Sequence, residues 1–112
     1  MSSSDRYRKD DPDRKFLQSR RWRERLRPRQ LERQPLCVHC KLLGIVRRAT
    51  EVDHIQRSYG DPELLTDPQN MQSLCFAHHL RKSNWERAGK SKPLVIGVTL
   101  QGDLVVGPPQ KK

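Results

Sequence analysis

Apolar positions are unevenly distributed along the chain. Residues 1–15 are polar and charged with no apolar period, and read as a disordered basic arm. From there Phe16, Leu17, Trp22, Leu26 and Leu31 recur at helix-like intervals, with Arg20, Arg21, Arg23, Arg25, Arg27 and Arg29 between them. The spacing predicts a basic amphipathic helix, broken before Pro28 because a proline pushes the preceding residue out of the helical region. A β-branched stretch within residues 47–55 predicts a strand. Ser58-Tyr59-Gly60-Asp61-Pro62 is rich in turn formers, and Asp67-Pro68-Gln69-Asn70 reads as a second turn or short helical nucleus. Residues 71–75 extend briefly, and residues 76–88 predict a helix stopped by Gly89. Near the end, residues 94–100 and 104–106 flank Gln101-Gly102-Asp103 and predict a hairpin, followed by a loose end from Pro108 to Lys112. Such a hairpin either packs on the core or offers an edge to a partner.

Composition limits what these elements can build. Of 112 residues only 33% are hydrophobic, against roughly 45–50% (a count including Gly) in a typical soluble domain. One small domain with a modest core is expected, and some staple must support it. No apolar run approaches the ~20 residues of a membrane span, and the polar start is no signal peptide, so neither a membrane protein nor export by that route is expected. The formal charge is +10, which points to a polyanionic partner, most often nucleic acid. Basic surfaces also serve solubility or anionic membranes, so the distribution matters more than the sum. Residues 1–48 hold 15 Lys or Arg against 6 Asp or Glu, a net +9, and residues 49–112 hold 8 against 7. The arginine face of the first helix either meets phosphates or is simply solvated.

The three cysteines supply the staple. Cys37-Val38-His39-Cys40 is a C-x2-C pair, and Cys75-Phe76-Ala77-His78 is a matching C-x2-H. Two such pairs offer the four ligands of a tetrahedral Cys3His zinc site, each pair presented by one turn of backbone. Three cysteines cannot all pair as disulfides within one chain, and no thioredoxin-like pattern surrounds the C-x2-C. Zinc binding adds folding free energy directly, which suits a chain so poor in core residues. His39, between the first two ligands, is expected to be an exposed knuckle residue, because a closed structural site takes four ligands.

Cys37-x2-Cys40, Glu51-Val52-Asp53-His54-Ile55, Asp67-x2-Asn70, Leu74-Cys75-x2-His78-His79 and Lys82 follow one another in an order and spacing that resemble the HNH endonucleases, the ββα-metal nucleases. The letters of the family name fall on His54, Asn70 and His79. The resemblance runs from about Phe16 to Lys82, and its first part is similar to small phage-borne members. It implies a general-base role for His54, a catalytic divalent metal on Asp53 and His79, and a loop braced by Asn70. It also implies hydrolysis of DNA to a 5′-phosphate and a 3′-hydroxyl. The residue types suit that chemistry. Phosphodiester hydrolysis needs an activated water and a cation to neutralise developing charge, and an imidazole near neutral pKa suits the base.

Two departures from the family pattern stand out. His78 replaces a more usual second Cys, leaving two adjacent histidines whose roles are exchangeable in principle. The C-x2-H spacing assigns His78 to zinc, and His79 falls about 100° further around the helix, toward the metal of Asp53. Ser83 stands where some members place another metal-binding His, so the catalytic metal is expected to have two protein ligands and water.

The sequence thus leads to an α+β fold, a small zinc-stabilised ββα-metal (HNH) domain with an N-terminal basic helix and a C-terminal hairpin. Its expected division is an arm over 1–15, the nuclease domain over 16–90 and the hairpin and tail over 91–112. Arg20, Arg21, Arg23, Arg25, Arg57 and Lys82 are the candidate DNA contacts, although Lys82 reads equally as part of a solvated helix face. The expected cofactors are structural Zn²⁺ and one catalytic Mg²⁺, Mn²⁺, Ni²⁺ or Zn²⁺. DNA is the expected substrate, with no small-molecule substrate. By resemblance the setting is the cytoplasm of a phage-infected bacterial host, with a terminase or portal protein as partner in DNA packaging. The alternative is a non-catalytic, zinc-dependent module for nucleic-acid binding or phage assembly.

Overall fold

In the computed structural model, which describes residues 11–107, Pro28 does not break the basic helix. A short helix α1 (Arg14–Leu17) leads into a π-helical segment (Arg21–Leu26), and α2 (Arg27–Arg33) continues directly from it. Arg27 keeps helical angles, φ −63° and ψ −49°, despite preceding the proline. A proline ring lacks an N–H and crowds the carbonyl one turn back; the wider π-helical turn before it relieves that crowding. The buried stripe is Leu17, Trp22 and Gln30, with Phe16, Leu26 and Leu31 partly covered, while Arg20, Arg21, Arg23, Arg25 and Arg29 face solvent.

The segment expected to be a free arm is fixed at its end. Residues 1–10 and the loose end 108–112 lie outside the described residues, but residues 11–15 are tied down. Asp13 is fully buried, and its carboxylate accepts from the Ser58 hydroxyl at 2.5 Å and the Gly60 N–H at 2.6 Å. Asp11 accepts from Arg57 at 2.7 Å. Tyr59 and Gly60 have positive φ, 46° and 88°. A tight left-handed turn leaves donors without helix or strand partners, and the two aspartates supply the acceptors.

After α2 come α3 (Val38–Leu42), β1 (Glu51–His54), α4 (Pro62–Thr66), a 3-10 turn (Pro68–Asn70), β2 (Met71–Leu74) and α5 (Phe76–Arg87). The helix α4 falls where only turns were expected; Asp61 caps it by accepting from the Glu63 N–H at 2.9 Å, and Pro62 occupies its first turn. β1 and β2 pair antiparallel, with Asp53 opposite Gln72 and His54 opposite Met71. Alternation sends Val52, His54, Met71 and Ser73 to one face and Asp53 and Gln72 to the other. The first face packs on the basic helix, where Leu17, Trp22, Val52 and Met71 form one apolar cluster. The second faces α5. A further cluster consists of Cys37, Cys40, Leu74 and Cys75, so the three cysteine side chains are themselves much of the core.

The C-terminal hairpin, β3 (Val95–Val98) with β4 (Leu104–Val106), packs on the domain through one face. Leu94 and Ile96 are buried, while Val98, Leu104 and Val106 point outward. Gly97 lies so close to the Leu43 side chain that a Cβ there would meet Leu43 Cδ2 at 2.7 Å, and Leu43 would have to turn away to make room. Sheet, helix and hairpin together form an α+β domain of ββα type.

Candidate active site

Two ligand-rich clusters meet at the start of α5. In the first, the ligand atoms of Cys37, Cys40, Cys75 and His78 all lie within 4.8 Å of one another, and all four residues are buried. Cys40 Sγ is 3.8 Å from Cys75 Sγ, and His78 Nδ1 is 3.7, 3.4 and 3.3 Å from Sγ of Cys37, Cys40 and Cys75. Zinc–sulfur bonds of about 2.3 Å in a tetrahedron put ligand atoms roughly 3.8 Å apart, so the cluster has the dimensions of a zinc site. His78 Nε2 lies 3.0 Å from the Ile96 carbonyl. A carbonyl only accepts, so the proton is on Nε2 and the Nδ1 lone pair faces the sulfurs. The hairpin therefore orients the His78 ring within this cluster. Burial, then the neighbouring cysteines, pushes the Cys40 thiol up to about 12 when no ion is present.

His39 does not belong to this group and is not the exposed residue expected of a knuckle. It is 1% exposed and meets the His78 ring edge-on at 5.4 Å. Burial, then the nearby His78, lowers its pKa to about 4, so it is neutral at ordinary pH.

The second cluster joins β1 to α5. Asp53, His54 and His79 are each at most 3% exposed. Asp53 Oδ1 is 4.0 Å from His79 Nε2, within the span of two metal–ligand bonds of about 2.1 Å each. A hard oxygen and an imidazole nitrogen suit a divalent ion with positions left for other ligands. Asp53 Oδ2 accepts from Gln72 Nε2 at 3.0 Å and from Lys82 Nζ at 2.9 Å.

Lys82 is not the solvent-facing phosphate contact expected from its place one turn after His79. It is fully buried, and Nζ also donates to the His54 carbonyl and to Glu86, each at 2.9 Å. Burial alone would lower its pKa, but the Asp53 and Glu86 carboxylates outweigh this and raise it, keeping the ammonium charged. A buried carboxylate beside an ammonium gains an ion pair that solvent does not screen.

His54 is oriented from two sides. Its Nε2 lies 3.0 Å from the Leu65 carbonyl, which only accepts, so Nε2 carries a proton and Nδ1 is the ring nitrogen that can act as a base. The Trp22 indole stacks on the ring, with centroids 5.1 Å apart and planes 30° from parallel. Asn70, 2% exposed, braces the same loop. Its side-chain amide donates to the carbonyls of Gln56 at 3.0 Å and Leu64 at 2.9 Å, and its Oδ1 accepts from the Gln56 N–H at 2.9 Å. Asn70 thus fixes the residue next to the one whose carbonyl holds His54. Gln72, Trp22 and Leu65 carry no motif signal in the sequence. Gln72 becomes readable only once the strand register places it opposite Asp53.

The arginines are divided between two situations. Arg21 and Arg25 are exposed, Arg20 pairs with Glu24 at 3.1 Å, and Arg23 donates to the Gln18 carbonyl at 3.1 Å while staying exposed. Arg57 is held by Asp11 and lies over the Tyr59 ring at 5.2 Å, so its guanidinium is already engaged.

Strand, loop, strand and helix carrying Asp53, His54, Asn70 and His79 beside a Cys3His cluster define a ββα-metal type of domain. Comparison with solved structures finds the HNH endonuclease of the deep-sea thermophilic bacteriophage GVE2, crystallised with manganese. It is 35% identical, covers 79% of this chain and 96% of that one, and superposes with a TM-score of 0.61. The chain belongs to the HNH endonuclease family, a family of phosphodiester hydrolases. No family model and no curated protein sequence matches it. No helix among the described residues is long and apolar enough to cross a membrane.

Proposed function

We propose that this chain is a metal-dependent DNA endonuclease in which His54 is the general base and Asp53 and His79 hold one divalent ion. The observation that supports the reading is the Leu65 carbonyl on His54 Nε2, which makes Nδ1 the nitrogen that can act as base, on the strand that also carries Asp53 of the two-ligand cation site. His54 Nδ1 takes a proton from water as the water oxygen bonds to phosphorus. The bond from phosphorus to the 3′ oxygen breaks, that oxygen gains a proton from solvent, and the new oxygen remains on the 5′-phosphate. The divalent ion, when bound, supplies charge to offset that developing on the phosphate oxygens. Asn70 keeps the Leu65 carbonyl in place, and Trp22 prevents the ring from tilting. In the same reading, Cys37, Cys40, Cys75 and His78 hold structural zinc, and exposed Arg20, Arg21, Arg23 and Arg25 hold the DNA backbone.

The manganese of the GVE2 relative makes Mn²⁺ the first metal to try. A plasmid-nicking assay with Mg²⁺, Mn²⁺, Ni²⁺ or Zn²⁺ tests the proposal. Wild type is expected to convert supercoiled DNA to open-circular or linear product with at least one of them. A folded protein that cuts with none overturns the proposal and leaves a nucleic-acid-binding module.

A further inference from the structure

We infer that Gln72 and Lys82 are positioning residues that set the Asp53 carboxylate for the metal ion. The inference rests on the proposal that Asp53 and His79 bind that ion. Asp53 and Gln72 are direct cross-strand partners, so their side chains leave the sheet on the same face. Both donors, Gln72 Nε2 at 3.0 Å and Lys82 Nζ at 2.9 Å, converge on Oδ2. Oδ1 is the oxygen nearer His79 Nε2, at 4.0 Å.

An Asp side chain is broad in its last torsion, so an unsupported carboxylate presents either oxygen, or both, at little difference in energy. Two donors on one oxygen remove that freedom and turn the other toward the histidine. Lys82 itself has little room to drift. An ammonium has three protons, and Asp53, the His54 carbonyl and Glu86 provide three acceptors at 2.9 Å each. The same nitrogen thereby ties the carboxylate of Asp53 and the backbone of His54 to the helix that carries His79.

Charge alone gives Lys82 the opposite effect, because an ammonium beside a carboxylate repels a dication. Glu86 offsets much of this, since Asp53, Lys82 and Glu86 together carry −1 when all are ionised. Gln72 is neutral, so its replacement isolates positioning from charge.

The test is Mn²⁺ binding to the zinc-loaded full chain, read from the free-ion signal in electron paramagnetic resonance and set beside a melting curve. Asp53→Asn is expected to lose the site. Gln72→Leu is expected to bind Mn²⁺ at least about 10-fold more weakly, in line with the 10–100-fold that outer-shell partners contribute elsewhere. Lys82→Met is expected to weaken binding as well. Unchanged Mn²⁺ affinity in Gln72→Leu, with a lowered melting temperature or without, overturns the inference while Asp53→Asn still upholds the metal site. Unchanged affinity in Asp53→Asn overturns the metal reading itself. Tighter binding in Lys82→Met removes Lys82 from the assignment; where that variant does not fold, Gln72→Leu decides alone.

Discussion

The two clusters at the start of α5 place neighbouring residues, His78 and His79, in different surroundings. Around His78 every ligand atom faces another, and the surroundings are Leu74, Val38 and a hairpin carbonyl. Around His79 there is one carboxylate, and beyond it a layer of polar partners: Gln72, Lys82, Glu86 and the backbone of His54. A set of four soft or borderline ligands closes on its ion and serves stability. A set of two harder ligands leaves coordination positions for substrate and water, so its geometry must come from outside the ligands. The first cluster is therefore encoded in local spacing, and the second in the strand register that sets Gln72 opposite Asp53.

The largest expected effect comes from breaking the closed cluster. Cys37→Ser, or removal of zinc by a strong chelator, is expected to abolish cooperative unfolding in circular dichroism, because structural zinc contributes on the order of 10 kcal/mol. A chain that still melts cooperatively without zinc breaks the comparison on its first side. Next is His54→Ala, expected to lower single-turnover cleavage by about 10²–10⁴-fold while leaving DNA affinity within a few-fold. Trp22→Ala removes both the stack on His54 and a member of the apolar cluster; about 3–5 kcal/mol of stability should go in denaturant titrations, with Trp22→Phe retaining most of it. Asp13→Ala leaves the buried Ser58 hydroxyl and the Gly60 N–H without their acceptor, for a loss of about 1–3 kcal/mol by the same measurement. Smallest is Arg21→Ala, which should reduce the slope of log affinity against log salt by about 0.9 and leave the cleavage rate of bound DNA unchanged.

The elements that could be read from the sequence are those whose signal is local. Cys37-x2-Cys40 and Cys75-x2-His78 announce by spacing the four residues that the fold brings together, and Gly89 stops α5 where expected, with φ +94°. The hairpin's alternation and its Gly102 turn, φ +88°, were equally legible. What stayed hidden is non-local. Pro28 signals a break, but the π-helical segment before it absorbs the distortion. Asp61-Pro62 reads as a turn and is in fact a cap followed by a first helical residue, since the two share the same chemistry. Asp11 and Asp13 look like part of a charged arm, and nothing local says that Ser58, Gly60 and Arg57 wait for them 45 residues or more away. Lys82 carries a surface residue's identity, and only the approach of β1 to α5 buries it.

The basic half of the chain is joined to the rest through the buried face of its helix. The arginine-rich helix holds most of the excess charge. Its buried face nevertheless supplies Trp22, which packs on His54, and Gln30, which donates to Ser73 on β2 at 3.2 Å. One face of this helix carries the exposed arginines, and the other packs on His54 and β2.

The central claim is that the two adjacent histidines belong to separate metal sites, one holding the fold and one serving the reaction. Zinc content by mass spectrometry of purified His79→Ala tests it most directly. About one equivalent of zinc, as in wild type, is expected in a folded chain. Zinc lost from His79→Ala would contradict it, because His79 would then be a ligand of the structural ion.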